Sequence, residues 1–182
     1  MSTIHANYTI TVDDYRHASY YAAALQHRRP LQMLALFLAG GLVYLYGIMA
    51  ELWQVNYLAA FILVAYLIWG LVFFAGVELR IRRYISSPDT LIGCRFSITV
   101  DASQLFLQVP ERGVHHSCSI SRLVGVFELG RLFLIYISMQ ELYILPKRAL
   151  SDEEVEALHS SFAQRIPDRF SAPVRNRFGR RI

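Results

Sequence analysis

The fold class this sequence predicts is a membrane α+β protein: a two-helix transmembrane hairpin, then a small antiparallel β domain closed by a C-terminal helix. Two observations carry that expectation. Residues 31–50 (LQMLALFLAGGLVYLYGIMA) and 57–77 (YLAAFILVAYLIWGLVFFAGV) contain no charged residue. Each is about as long as the roughly 20 residues a helix needs to cross a hydrocarbon core about 30 Å thick. Beyond residue 94 the apolar residues stop running together and begin to alternate, as in RFSITVD and QLFLQV, which is the period of a half-buried strand.

Composition and charge set the topology. The chain has 182 residues, is 54% hydrophobic and has a mean hydropathy of +0.33. The apolar residues are gathered in two blocks, which favours membrane spans over a scattered soluble core. Net charge is +4, and Lys147 is the single lysine among 18 basic residues. Arg16, Arg28 and Arg29 precede the first block, Arg80, Arg82 and Arg83 follow the second, and the ELWQVN loop between them has only Glu51. Lys and Arg concentrate on the cytoplasmic side of spans, so both termini are expected in the cytoplasm of an inner-membrane protein, with the loop outside. The first block lacks a small-x-small cleavage site and is soon followed by a second span, so it does not read as a secretory signal. Cys94 and Cys118 then fall on the reducing side and are expected to be free thiols.

From the N-terminus, residues 8–12 (YTITV) alternate like a strand, Asp13 is placed to cap a helix, and Asp14 lies in its first turn. Tyr15, Ala18, Ala22 and Leu25 share one face of that helix, and Pro30 marks a bend before the first span. Ala35, Ala39, Gly40, Gly41 and Gly47 in the first span, with Ala60, Ala65, Gly70, Ala75 and Gly76 in the second, allow close packing in lipid. The hairpin is expected to use them internally, and a homo-oligomer through such faces is an alternative use. Tyr46, Trp53 and Tyr57 form an outer aromatic belt. Residues 78–85 extend the second helix, and Ser86-Ser87-Pro88-Asp89 ends it.

Six short strands follow: 95–101, 104–109, 114–119, 123–128, 132–138 and 141–145. Turn residues such as Pro110-Glu111-Arg112-Gly113 and Gly130-Arg131 separate them. Ser151 and Glu154 form a capping box for a helix running to about Gln164, with Val155, Leu158 and Phe162 on its apolar stripe. A bent sheet or open barrel plugged by one helix is the layout of a pleckstrin-homology-like (PH-like) domain, to which the N-terminal strand could add a seventh. The expected organisation is 1–30 (strand and amphipathic helix), 31–77 (hairpin), 78–93 (helix extension and linker), 94–166 (PH-like domain with its helix) and 167–182 (a basic disordered tail).

Several of these segments, in this order, resemble the YcxB-like membrane protein family: YTITVDDY, the two spans, FSITVDASQLFLQ, ISRLVGVFELGRLFLIY, and ILPKRAL before SDEEVEAL. The resemblance covers roughly residues 8–165. Ile120 stands where that family often has a tryptophan. The resemblance implies an inner-membrane anchor bearing a PH-like cytoplasmic domain, and it brings no catalytic residues.

No phosphate-binding glycine loop, nucleophile elbow or zincin motif is present. His115, His116 and Cys118 are the one cluster of potential metal ligands, but a strand points His115 away from the other two, and a zinc site needs at least three ligands. No metal, cofactor or catalytic residue is therefore assigned. Neither span holds an ionisable residue of the kind that marks an ion pathway. Only the basic tail favours nucleic acid, and the lack of an aromatic-interleaved basic face argues against it as a partner. Arg28, Arg29, Arg80, Arg82, Arg83, Lys147 and Arg148 are the candidate contacts to anionic lipid or to a protein partner's carboxylates. The expected function is a non-enzymatic binding or scaffold module at the inner membrane. Alternatives are an immunity protein against a membrane-acting toxin, and a membrane enzyme built around His116 and Cys118.

Overall fold

The structure is a computed structural model and describes residues 3–52, 54, 56–101, 103–138 and 141–172. The chain divides into two compact units. One comprises Met1–Ala18 with Leu91–Ile182, the other Ser19–Thr90. The first is a β domain assembled from both ends of the sequence, and the second is the helical hairpin, inserted between its first two strands.

In the β domain, β1 (Ile4–Thr9) buries Ile4, Ala6 and Tyr8 on alternate positions. It pairs antiparallel with β2 (Arg95–Val100), so that Ile4 faces Val100, Ala6 faces Ile98 and Tyr8 faces Phe96. The Tyr8 and Phe96 rings stack at 5.4 Å. β3 (Gln104–Val109) and β4 (Val114–Ser119) complete a four-stranded sheet in the order β1-β2-β3-β4. The turn between β3 and β4 places Gly113 at φ +62°, a left-handed conformation that glycine adopts without steric cost.

A second sheet has the order β7-β6-β5-β8, from β5 (Gly125–Glu128), β6 (Leu132–Tyr136), β7 (Leu142–Pro146) and β8 (Phe170–Ser171). Leu132, Phe133, Leu134 and Ile135 of β6 are all buried, so this strand is covered on both faces. One cover is the last long helix of the chain, Asp152–Arg165, whose Phe162 ring meets Phe133 at 6.2 Å. Its start is the expected capping box: Ser151 accepts from the Glu154 N–H, and the Glu154 carboxylate accepts from the Ser151 N–H.

In chain order, α1 (Val12–Gln26) follows β1 and passes through the turn residue His27 into α2 (Arg28–Met49). α3 (Tyr57–Ile85) completes the hairpin, and the helix over β6 is α4. Gly41 of α2 lies against Leu63 of α3, and Gly70 of α3 lies against Leu34 of α2. Phe37 stacks on Tyr66 at 3.9 Å. These contacts define an antiparallel pair in which two of the expected small residues sit at the seam. Gly40 and Gly76 face open space instead. Both helices are long and apolar enough to cross a membrane, and only 17% and 6% of their most apolar stretches are buried. A core helix of a soluble protein would be mostly covered.

α2 ends in a Schellman turn: the Leu52 N–H donates to the Gly47 carbonyl and the Glu51 N–H to the Ile48 carbonyl. Glu51 takes the left-handed position at φ +57°, where glycine is usual. Asn56 caps α3, its side chain accepting from the Leu58 and Ala59 N–H groups.

The structure corrects the sequence reading in four places. The first strand is Ile4–Thr9, not 8–12, because Thr11 rather than Asp13 starts α1. Thr11 and Asp14 form a reciprocal cap, the Asp14 N–H on the Thr11 hydroxyl and the Thr11 N–H on the Asp14 carboxylate. The interruption before α2 lies at His27, while Pro30 sits in the first turn of α2, where its missing N–H costs nothing. The strands form two four-stranded sheets rather than one bent sheet or barrel. The N-terminal strand does join the sheet of the β domain, the option the sequence left open. Residues 167–171, assigned to the tail, form a short 3-10 turn and β8, which pairs parallel with β5. The rest of that tail, 173–182, and Trp53 of the aromatic belt lie outside the described residues.

Candidate functional site

The seven candidate cations separate into two groups once their partners are known. Lys147 and Arg148 occupy a 3-10 turn (Lys147–Ala149) directly after β7. Both pair with carboxylates of the β domain, Lys147 from a buried position and Arg148 from an exposed one. Lys147 is 8% exposed, and its Nζ donates to Glu128 Oε1 at 2.6 Å. The ammonium also lies 4.8 Å from the centre of the Phe133 ring. The second oxygen of Glu128 accepts from His159 Nδ1 on α4 at 2.5 Å, so Nδ1 carries the proton. Arg148 points the other way. Its two terminal nitrogens donate to Asp14 Oδ1 and Oδ2, each at 2.6 Å, and one also reaches the Thr9 carbonyl at 2.9 Å. Two consecutive cations thus tie one turn to β5 and α4 on one side and to the β1–α1 junction on the other.

Burial pushes the Glu128 carboxyl up, but the hydrogen bonds from Lys147 and His159 outweigh it and hold the group below the usual carboxylate range. Asp14 behaves alike: burial raises it, and the hydrogen bonds from Arg148 and Thr11 bring the net result below the ordinary value. Glu128 and His159 escaped the sequence reading, although one signal was available. Glu128 shares a strand face with Val126 in an otherwise apolar run, and a carboxylate at an inward position requires a buried cation.

The hairpin cations differ. Arg82 pairs with Glu78 one turn earlier at 3.3 Å. Arg28, Arg29, Arg80 and Arg83 form no ion pair among the described residues and are exposed. Arg82 and Arg83 occupy the last turn of α3, where positive charge complements the helix dipole. A groove of about 600 Å³ runs from Arg29 and Pro30 past Met33 to Ala65, Tyr66 and Trp69. At the far end of the hairpin Tyr46 and Tyr57 are 71% and 84% exposed.

His115, His116 and Cys118 are where alternation puts them. His116 and Cys118 lie opposite the inward Leu107 and Leu105, and His115 is on the other face. Burial raises the Cys118 thiol above its ordinary value, which makes it less of a thiolate. Among the described residues no group of three or more His, Cys, Asp or Glu is placed to hold a metal ion. Compared with family models, with curated proteins and with solved structures, the chain matches none.

Proposed function

We propose that this chain is an inner-membrane binding or scaffold module: the hairpin crosses the bilayer twice, both termini stay in the cytoplasm, and the β domain is presented there to a partner protein. One observation carries this reading. β1 precedes both long helices, β2 follows them, and the two strands are hydrogen-bonded neighbours. A chain whose flanks meet in one sheet crosses a membrane an even number of times. The basic residues on those same flanks support the cytoplasmic side. Four strands, then three more, then a helix support the PH-like reading of the domain, and that order agrees with what the YcxB-like resemblance implies. A binding role rather than a catalytic one fits a network in which Glu128, Lys147 and Asp14 are each consumed by internal partners.

Topology is tested by replacing both native cysteines with serine and introducing Glu51→Cys. A membrane-impermeant maleimide labels this variant in intact cells, whereas a second variant that keeps Cys94 and carries only Cys118→Ser reacts only after permeabilisation. Recovery of the intact chain from the aqueous fraction, folded without detergent, overturns the membrane reading. The binding role is tested by crosslinking in membranes followed by mass spectrometry. Reproducible capture of one protein through the β domain supports it, and consistent absence of any partner overturns it.

A further inference from the structure

We propose that the groove between α2 and α3 is a seat for one anionic phospholipid, its phosphate held by Arg29 and one acyl chain lying along Met33, Ala65, Tyr66 and Trp69. The proposal rests on the membrane reading above and adds a defined ligand to it. A volume of about 600 Å³ falls within the range of about 300–1,000 Å³ common for small-molecule sites. Five of the six lining residues are apolar or aromatic, and the sixth is a guanidinium at one end. That is the polarity pattern of a phospholipid: a charged phosphate at one end and hydrocarbon beyond it.

α2 has no acid in its first turn, and Arg29 has no ion pair among the described residues. An arginine at the edge of a span keeps its stem against apolar surface and its head toward phosphate. Trp69, 37% exposed, stacks on Phe73 at 5.8 Å, which fixes one wall of the groove. The neighbouring groove around Gly40, Gly41 and Leu63 has no charged residue, so hydrocarbon alone suffices there and no headgroup is selected.

Trp69 is also the reporter. Trp53→Phe leaves it as the sole tryptophan of the chain. The full-length variant is reconstituted into phosphatidylcholine vesicles containing a fixed fraction of phosphatidylglycerol, with brominated chains on one lipid or the other. Brominated phosphatidylglycerol is expected to quench Trp69 about fivefold more per molecule than brominated phosphatidylcholine, the preference a single cation gives near an anionic headgroup. Arg29→Gln abolishes the preference, and Arg122→Gln, an equal loss of charge in the β domain, leaves it intact. Equal quenching by the two lipids, or a preference that survives Arg29→Gln, overturns the seat while leaving the membrane reading standing. No quenching by either lipid overturns both. The chain with both tryptophans gives a second readout: phosphatidylglycerol retained through mild-detergent purification and lost in Arg29→Gln supports the seat, and equal retention by the two proteins overturns it.

Discussion

Leu134 in the β domain is fully buried, whereas Leu71 in the hairpin is 72% exposed. The contrast runs through both regions. In the β domain Val124 is the one large apolar side chain that is exposed among the described residues, while most of the apolar length of α2 and α3 faces outward. Charge divides in the opposite sense. The β domain takes Glu128 and Lys147 inside, and the hairpin leaves Arg28, Arg29, Arg80 and Arg83 at its edge. One region buries its large apolar side chains in a core of its own. The other consists of two helices long and apolar enough to cross a membrane, which meet along a seam at Gly41 and Gly70.

That contrast can be broken most strongly from inside the β domain. Phe133→Ala removes a ring that touches both Phe162 and the Lys147 ammonium and is expected to cost about 3–5 kcal/mol in chemical denaturation. Leu71→Ala should leave the same unfolding transition unmoved. Lys147→Ala strands the Glu128 carboxylate in a buried site and should cost a comparable amount, about 3–5 kcal/mol. Acid acts on the same groups. Glu128 and Asp14 are held below their unfolded values, so the stability they contribute is complete above about pH 4, the unfolded carboxylate range. It is lost as pH falls through the lower folded values. The denaturation midpoint should therefore drop on acidification below pH 4, and less steeply in Glu128→Gln.

The seam of the hairpin gives a middle-sized effect. Gly41→Ile drives a side chain into Leu63 and should cost about 1–3 kcal/mol, the usual cost of overpacking. Gly40→Ile, facing open space, should be tolerated, and thermal unfolding in detergent separates the two. Glu51→Gly relieves a left-handed residue and should raise hairpin stability by about 1 kcal/mol. Arg82→Ala breaks an exposed pair with Glu78 and should shift stability by less than about 1 kcal/mol.

Much of this was legible in the residues. Period-two alternation placed β2, β3 and β4 within a residue of their ends, and the Ser151–Glu154 cap located the start of α4. β1 was misplaced because Ala6 and Asn7 are weak strand formers, while Thr9 to Val12 look like a strand yet carry the cap of α1. β8 has only two residues, too few for any period. The ion network was half visible: Lys147 and Arg148 stood out as cations, but which carboxylates they meet is long-range information. Arg148 reaches Asp14 across 134 positions of sequence, and no local pattern encodes that.

The pairing of Ile4 with Val100 makes the β domain discontinuous along the polypeptide. Its first strand leaves the ribosome well before its neighbour exists, a delay on the order of 5–20 s at ordinary synthesis rates. A fragment that begins at residue 91 therefore lacks the outer strand, and the backbone of β2 is left as a bare edge open to aggregation. A soluble version of the domain is better made by replacing the hairpin with a short linker that lets Thr9 and Arg95 remain opposite one another.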